Sequence, residues 1–325
     1  MKKRGIKIDK QNKGVITIFT LLSVVFIIMC FYSSSFRSFY NITNLLVQCV
    51  PLACVAIGQT FVIVSGGIDL SVGSTISICT AIASKLLNTD SVFEAFIGSM
   101  LILIMGIFIG LINGVGINFL NVPPLITTLC SSTILSGLAL YILPIAGGRI
   151  NKDFARFIFR KWTIISMPLI ILLIIFLIMR TILYKTSIGT GFYAIGKNRQ
   201  IAKSMGVNVR RTGIIAYVIA GFCAAITGLL LACRMRVGDP TCGVPFTMDS
   251  ITASVIGGTS MSGGVGLLSG TIAGAFLIGM LSNVMNNLAV NQFYQYVLKG
   301  GLLIVAMIVY SISGQIERKR NERSN

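Results

Sequence analysis

The sequence contains no histidine. That absence removes imidazole zinc sites, histidine-dependent nucleophilic triads and the commonest general base. Cysteine occurs eight times but never as C-x-x-C. Most of these thiols fall in apolar runs, where a cysteine behaves as a small hydrophobe, so neither a disulfide frame nor a metal site is expected. Charged residues make up 11% of the chain, against about 25% in a soluble domain. Acids are scarcest: 9, against 27 Lys and Arg. No G-x-x-x-x-G-K-[ST] occurs, so an ATP-driven process would need another chain to hold the nucleotide. No catalytic residue, metal or cofactor is expected.

What is present is apolar. Hydrophobic residues make up 54% of the 325 residues, and the mean hydropathy is +0.88. A water-facing globule cannot hide that much apolar surface. The fold expected is an all-α polytopic membrane protein with eight to ten transmembrane helices, glycine-broken segments and no soluble domain. The net charge of +18 would suggest nucleic acid in a soluble protein. Here the cations lie in short segments between apolar runs, as the positive-inside bias requires, and no basic domain remains once the runs are removed.

A basic head, residues 1–14 with Lys2, Lys3, Arg4, Lys7, Lys10 and Lys13, precedes an apolar run from Val15 to Tyr32. The run is long for a signal peptide and lacks an A-x-A site, so a retained anchor is expected. Further spans are expected at about 45–64, 71–87, 95–112, 125–145, 163–180, 213–233, 251–261, 267–287 and 296–313, of which 71–87 and 251–261 are the weakest. An even count places both termini on one side. The basic tail 314–325 and the basic connection 181–212 then vote with the N-terminus for the cytoplasm. Residues 146–162 disagree: they carry Arg149, Lys152, Arg156, Arg160 and Lys161 against Asp153, yet the count puts them outside.

Three segments carry specific information. In Gly66-Gly67-Ile-Asp69-Leu-Ser71-Val-Gly73 a carboxylate stands between apolar runs, where insertion costs about 2.5–3.5 kcal/mol. Asp69 is either a substrate contact or the N-cap of the following span. In the connection 181–212, Asn198 is a good N-cap and Gly206 a good C′ residue, so a short helix fits between them. Ile201, Ala202 and Met205 are expected on one face, with Arg199 and Lys203 pointing elsewhere. An apolar stripe with a basic flank suits either docking in a groove of another protein or lying on the membrane. The third segment, 254–274, holds Gly257, Gly258, Gly263, Gly264 and Gly266, which break helix, and a GxxxG at Gly270 and Gly274. Its Gly257–Gly264 fragment echoes Gly66–Gly73, a hint of internal duplication. Polar groups inside spans, Gln48, Gln59, Ser65, Asn113, Asn283, Asn286 and Asn287, are candidates for a passage or for interhelical hydrogen bonds.

Taken together, these segments resemble the permease subunits of ribose-type sugar ABC importers over nearly the whole chain. The matching residues are 66–73, then Thr186, Gly189, Tyr193–Gly196, Asn198, Ala202 and Gly206, then 256–266. Two departures stand out: Thr190 where the family often has Arg, and Thr247 where it usually has Glu, with Asp249 retained. The resemblance implies a non-catalytic subunit forming the path for a ribose-like monosaccharide across the bacterial cytoplasmic membrane. It implies a separate ATPase, an extracytoplasmic sugar-binding protein and a second permease copy or paralogue as partners. Residues 197–206 then act as the coupling helix, through Asn198, Arg199, Ile201, Ala202, Lys203, Met205 and Gly206. Gly66, Gly67, Asp69, Ser71, Asp249, Gly257, Gly258 and Asn283 are the candidates for gating and translocation. An ion-coupled secondary transporter of a small polar solute, using Asp69 and Asp249, is the runner-up. An aspartyl enzyme on the same two carboxylates comes third.

Overall fold

The computed structural model describes residues 18–20, 22–162, 165–291, 293–301 and 304. The basic ends 1–14 and 314–325 and most of the expected span 296–313 lie outside the described residues. Among the described residues the chain is all-α apart from one short ribbon. Helix α1 covers Ile18–Tyr32. It is followed by α2 (Phe39–Val64), α3 (Val72–Leu86), α4 (Val92–Asn118), α5 (Pro124–Ile142) and α6 (Lys152–Ile158). Then come α7 (Met167–Lys185), α8 (Ser187–Lys197), α9 (Arg199–Ser204), α10 (Val209–Met235), α11 (Val244–Ile256) and α12 (Leu268–Asn287). Residues 293–301 are helical again. Lys161 pairs with Ser166 and Trp162 with Ile165 in the antiparallel ribbon between α6 and α7.

Six of these helices (α2, α4, α5, α7, α10 and α12) are long and apolar enough to cross a bilayer. The two weak spans are real helices but short: α3 has 15 residues and α11 has 13. Short helices of this kind survive at membrane depth only when protein covers their ends, and both sit inside the bundle. Helix α2 is central, with 94% of its most apolar window buried, whereas α5 buries 17% of its own and lies at the periphery. Helix α10 packs along α2, α3 and α4, and α11 and α12 close on α2 from another side.

Small residues permit this packing. In α4, Gly106, Gly110 and Gly114 repeat every fourth position and lie against Gly221, Tyr217 and Ile214 of α10. A Cβ at any of the three would meet α10 backbone. The sequence-predicted GxxxG behaves likewise: Gly270 and Gly274 lie on the backbone of Gly257 and Ala253.

The two basic connections stand at opposite ends of the bundle. At one end, Asn118 closes α4 and accepts a hydrogen bond from Arg199 Nη2 at 2.9 Å. At the other, Asn151 Nδ2 donates to Thr89 O at 2.8 Å, Asn151 N to Leu87 O at 2.8 Å, and Ile150 N to Arg236 O at 3.2 Å. Residues 143–162 are thereby tied to the ends of α3 and α10 and the start of α4, a full length of α4 away from 181–212.

Candidate functional site

The three informative segments, far apart in sequence, meet at one end of the bundle. Helix α2 closes with a glycine turn in which Gly66 N donates to Ile63 O at 2.9 Å and Gly67 N to Val62 O at 3.0 Å. Gly66 sits at φ +83°, a conformation that costs side-chain-bearing residues about 1–2 kcal/mol. Helix α11 closes in the same way: Gly258 N donates to Val255 O at 2.9 Å and Thr259 N to Ser254 O at 3.0 Å, with φ +89° at Gly258. The structural correspondence therefore pairs Gly66 with Gly258, one position away from the sequence echo that pairs it with Gly257.

Gly196, at the end of α8, lies between these two turns. A Cβ on it would strike Val64 O and Gly264 N. A Cβ on Gly263 would come within 2.9 Å of both Gly196 O and Gly66 Cα. Gly264 N donates to Val64 O at 2.8 Å, and Tyr193 Oη donates to Gly266 O at 2.8 Å. Burial pushes the Tyr193 hydroxyl above its ordinary range, so it keeps the proton it donates. This knot of bare backbone joins α8 to the ends of α2 and α11 and to the start of α12.

Helix α9 follows one residue later. Asn198 Oδ1 accepts from Ile201 N at 3.0 Å, and Gly206 takes φ +82°, so both helix-end expectations hold. The expectation of a single apolar face does not. Ala202 is 1% exposed and packs with Ile195 and Val209 of its own chain. Ile201 and Met205 are 57% and 76% exposed and point away. With six residues in the helix, Ala202 serves to seat α9 on α8 and α10, while its neighbours present an apolar surface. Arg199 reaches back to Asn118, and Lys203 is exposed.

Asp69, 2% exposed, belongs to a different network. Its Oδ1 accepts from Ser71 N at 2.8 Å and from Ser71 Oγ at 2.6 Å. Asn113 Nδ2 donates to Ser71 Oγ at 2.8 Å, and Ser131 Oγ donates to Asn113 Oδ1 at 2.5 Å. The directional chain Ser131 to Asn113 to Ser71 to Asp69 fixes the turn that opens α3 against α4 and α5. The N-cap of α3 is Ser71, with no side-chain cap bond, so Asp69 is not the N-cap expected of it; its carboxylate instead holds the turn just before the helix.

Asp249 is placed elsewhere, in α11, with Oδ2 accepting from Lys299 Nζ at 2.7 Å. The pair lines a cavity of about 470 Å³ with Gln48, Arg234, Asn286 and Gln295. Asn283 is not on that lining: it pairs with Asn41 at 3.2 Å and accepts from Asn287 Nδ2 at 3.0 Å, binding α12 to α2. Ser65 bonds to Val62 O. Gln59 is fully buried with neither amide atom partnered among the described residues. Lys299 and Arg234 were missed at the sequence level, although each is a cation inside or ending an apolar run, which is the signal that singled out Asp69. Because Asp69 is held by Ser71 and Asp249 by Lys299, the two carboxylates do not form the facing pair that an aspartyl enzyme needs.

Comparison with known proteins identifies the family. The family described as branched-chain amino acid transport system / permease component matches residues 41–307. The ribose import permease protein RbsC of Bacillus subtilis (strain 168) is 36% identical over 293 residues, 89% of this chain and 90% of that one. RbsC of Escherichia coli (strain K12) is 32% identical over 306 residues, 92% and 93% of the two chains. The L-arabinose transport system permease protein AraH of Escherichia coli (strain K12) is 35% identical over 298 residues, 91% and 89%. No solved structure matches. A multi-pass bundle in which all three motifs converge, matched by these proteins over 89–92% of its length, belongs to that permease family and is a transport component of the ribose-importer type.

Proposed function

We propose that the chain is the membrane-spanning permease subunit of an ATP-binding-cassette importer, forming the path of a ribose-like monosaccharide across the bacterial inner membrane. The observation that carries this reading is the backbone knot of Gly66, Gly196 and Gly263. It lets a displacement of α9 pass through α8 to the ends of α2 and α11 without an intervening flexible side chain. Packed backbone transmits displacement because close-packed interiors have low compressibility. ATP hydrolysis belongs to a separate ATPase, docked on the exposed Ile201 and Met205, with the 181–212 end and both termini in the cytoplasm. An extracytoplasmic sugar-binding protein delivers substrate to the other end, and a second permease copy or close paralogue completes the pore.

The cavity around Asp249 and Lys299 supplies the polar part of the path. Amides at Gln48, Asn286 and Gln295 can donate to and accept from vicinal hydroxyls, while the ion pair offers a stronger acceptor and donor. Such groups hold a polyol weakly when water competes, which suits a conduit that must release its cargo. The ion-coupled alternative requires a free carboxylate, and Asp69 and Asp249 are both engaged.

Uptake of labelled ribose, arabinose, allose and galactose by cells with and without the chain tests the reading. Accumulation of one of these sugars is expected to survive collapse of ion gradients by an ionophore while ATP is maintained. Accumulation that collapses with the gradient contradicts it.

A further inference from the structure

The basic segment 146–162 stands at the end opposite 181–212, so the positive-inside bias cannot account for both. A cavity of about 640 Å³ beside α6 gives its charges a common direction. Arg156, Arg160, Lys161, Arg234 and Arg236 line it against one carboxylate, Asp153. Asp153 is taken by Arg156 at 3.4 Å. Arg160, Lys161, Arg234 and Arg236 have no carboxylate partner among the described residues. Arg160 lies over the Trp162 ring at 5.2 Å and Lys161 over Tyr40 at 5.9 Å. Arg236 ends α10 at φ +61°, a conformation ordinarily given to glycine, so a cation is kept there at a backbone cost.

We infer that this cavity binds the anionic headgroup of a phospholipid. Its depth fits. The cations lie beside the first residue of α7, Met167, and the last of α10, Met235, the level at which a span leaves hydrocarbon for headgroups. Its chemistry fits as well. Guanidinium forks match phosphate oxygens in a charge-assisted, bidentate way. Phe157, Trp162 and Ile165 stand exposed beside them, an apolar wall for the upper acyl chain. A water-facing surface for an acidic protein would use the cations but would have no need of exposed rings at their edge. The inference holds whichever end faces the cytoplasm, and so stands apart from the transport reading.

The chain's single tryptophan, Trp162, reports on the site directly. The full chain is placed in phosphatidylcholine nanodiscs, and small fractions of phosphatidylglycerol or phosphatidylcholine with identical brominated acyl chains are titrated in. Quenching of Trp162 is expected to saturate at much lower fractions of the anionic lipid. Each cation near an anionic surface strengthens attachment by about fivefold. Arg160→Gln with Arg236→Gln is therefore expected to weaken the preference by about twenty-five-fold, leaving quenching by brominated phosphatidylcholine unchanged. If that variant does not fold, Arg156→Gln with Lys161→Gln carries the same expectation. Equal quenching by both lipids overturns the inference, as does a preference that survives both variants. Free inorganic phosphate that shifts Trp162 emission while lipid shows no preference overturns it in favour of a soluble anion. Loss of binding-protein docking in the variants, again without lipid preference, overturns it in favour of an acidic protein face.

Discussion

A buried carboxylate inside apolar helices is expensive, and Asp69 is retained because Ser71 gives it two donors at 2.6 and 2.8 Å. An asparagine there keeps an acceptor in the same place. Asp69→Asn is thus expected to cost no more than about 1 kcal/mol and to leave uptake in place. Asn113→Ala strands Ser71 and Ser131 and should cost about 1–3 kcal/mol, visible as a lower melting temperature in detergent. If Asp69→Asn abolishes uptake at unchanged stability, the carboxylate belongs to the transport path instead. The glycines divide just as sharply. A methyl at Gly196 meets backbone on two sides, whereas at Gly137 it meets nothing. Gly196→Ala is expected to cost about 1–3 kcal/mol and most of the uptake, and Gly137→Ala neither. Transport and melting measured on both variants check this.

At the scale of elements, α9 separates a packing role from the proposed docking role within five residues. Ile201→Asp with Met205→Asp changes only exposed side chains and should leave the melting temperature unchanged while removing the ATPase. Ala202→Asp buries a carboxylate against Ile195 and Val209 and should destabilise the chain by several kcal/mol, losing the ATPase only as a consequence. Thermal melts and co-purification of both variants distinguish the two. Sequence alone located α9 from Asn198 and Gly206, because helix ends have local chemistry. It could not orient the helix, because which residue is buried depends on α8 and α10. Helix α8 went unread for a related reason: its glycines look like loop until Gly189 and Gly196 are seen against neighbouring backbone and Gly191 against the side chains of Thr212 and Val207. Hydropathy placed most of the described spans to within a few residues, but α2 starts at Phe39 rather than 45, α4 runs to Asn118 rather than 112, and α11 is Val244–Ile256 rather than 251–261. The lining of the Asp249 cavity was not, since Gln48, Arg234 and Lys299 come from three separate segments.

Across the whole molecule, one end carries backbone packed on backbone and the proposed coupling segment, while the Asp249–Lys299 pair lines a polar cavity. Removing one partner of a poorly exposed pair leaves an uncompensated charge, at a cost of about 3–5 kcal/mol. Asp249→Asn or Lys299→Met alone should therefore lower stability more than the two together. A double variant that melts like wild type yet no longer accumulates sugar would place the pair in the path. The most direct test of the account is co-purification of the tagged chain from its native membrane in mild detergent, wild type against Ile201→Asp with Met205→Asp. A P-loop ATPase is expected to accompany wild type and to be absent from the variant at equal yield and melting temperature. An ATPase that stays bound to the variant, or none with a folded wild-type chain, contradicts it.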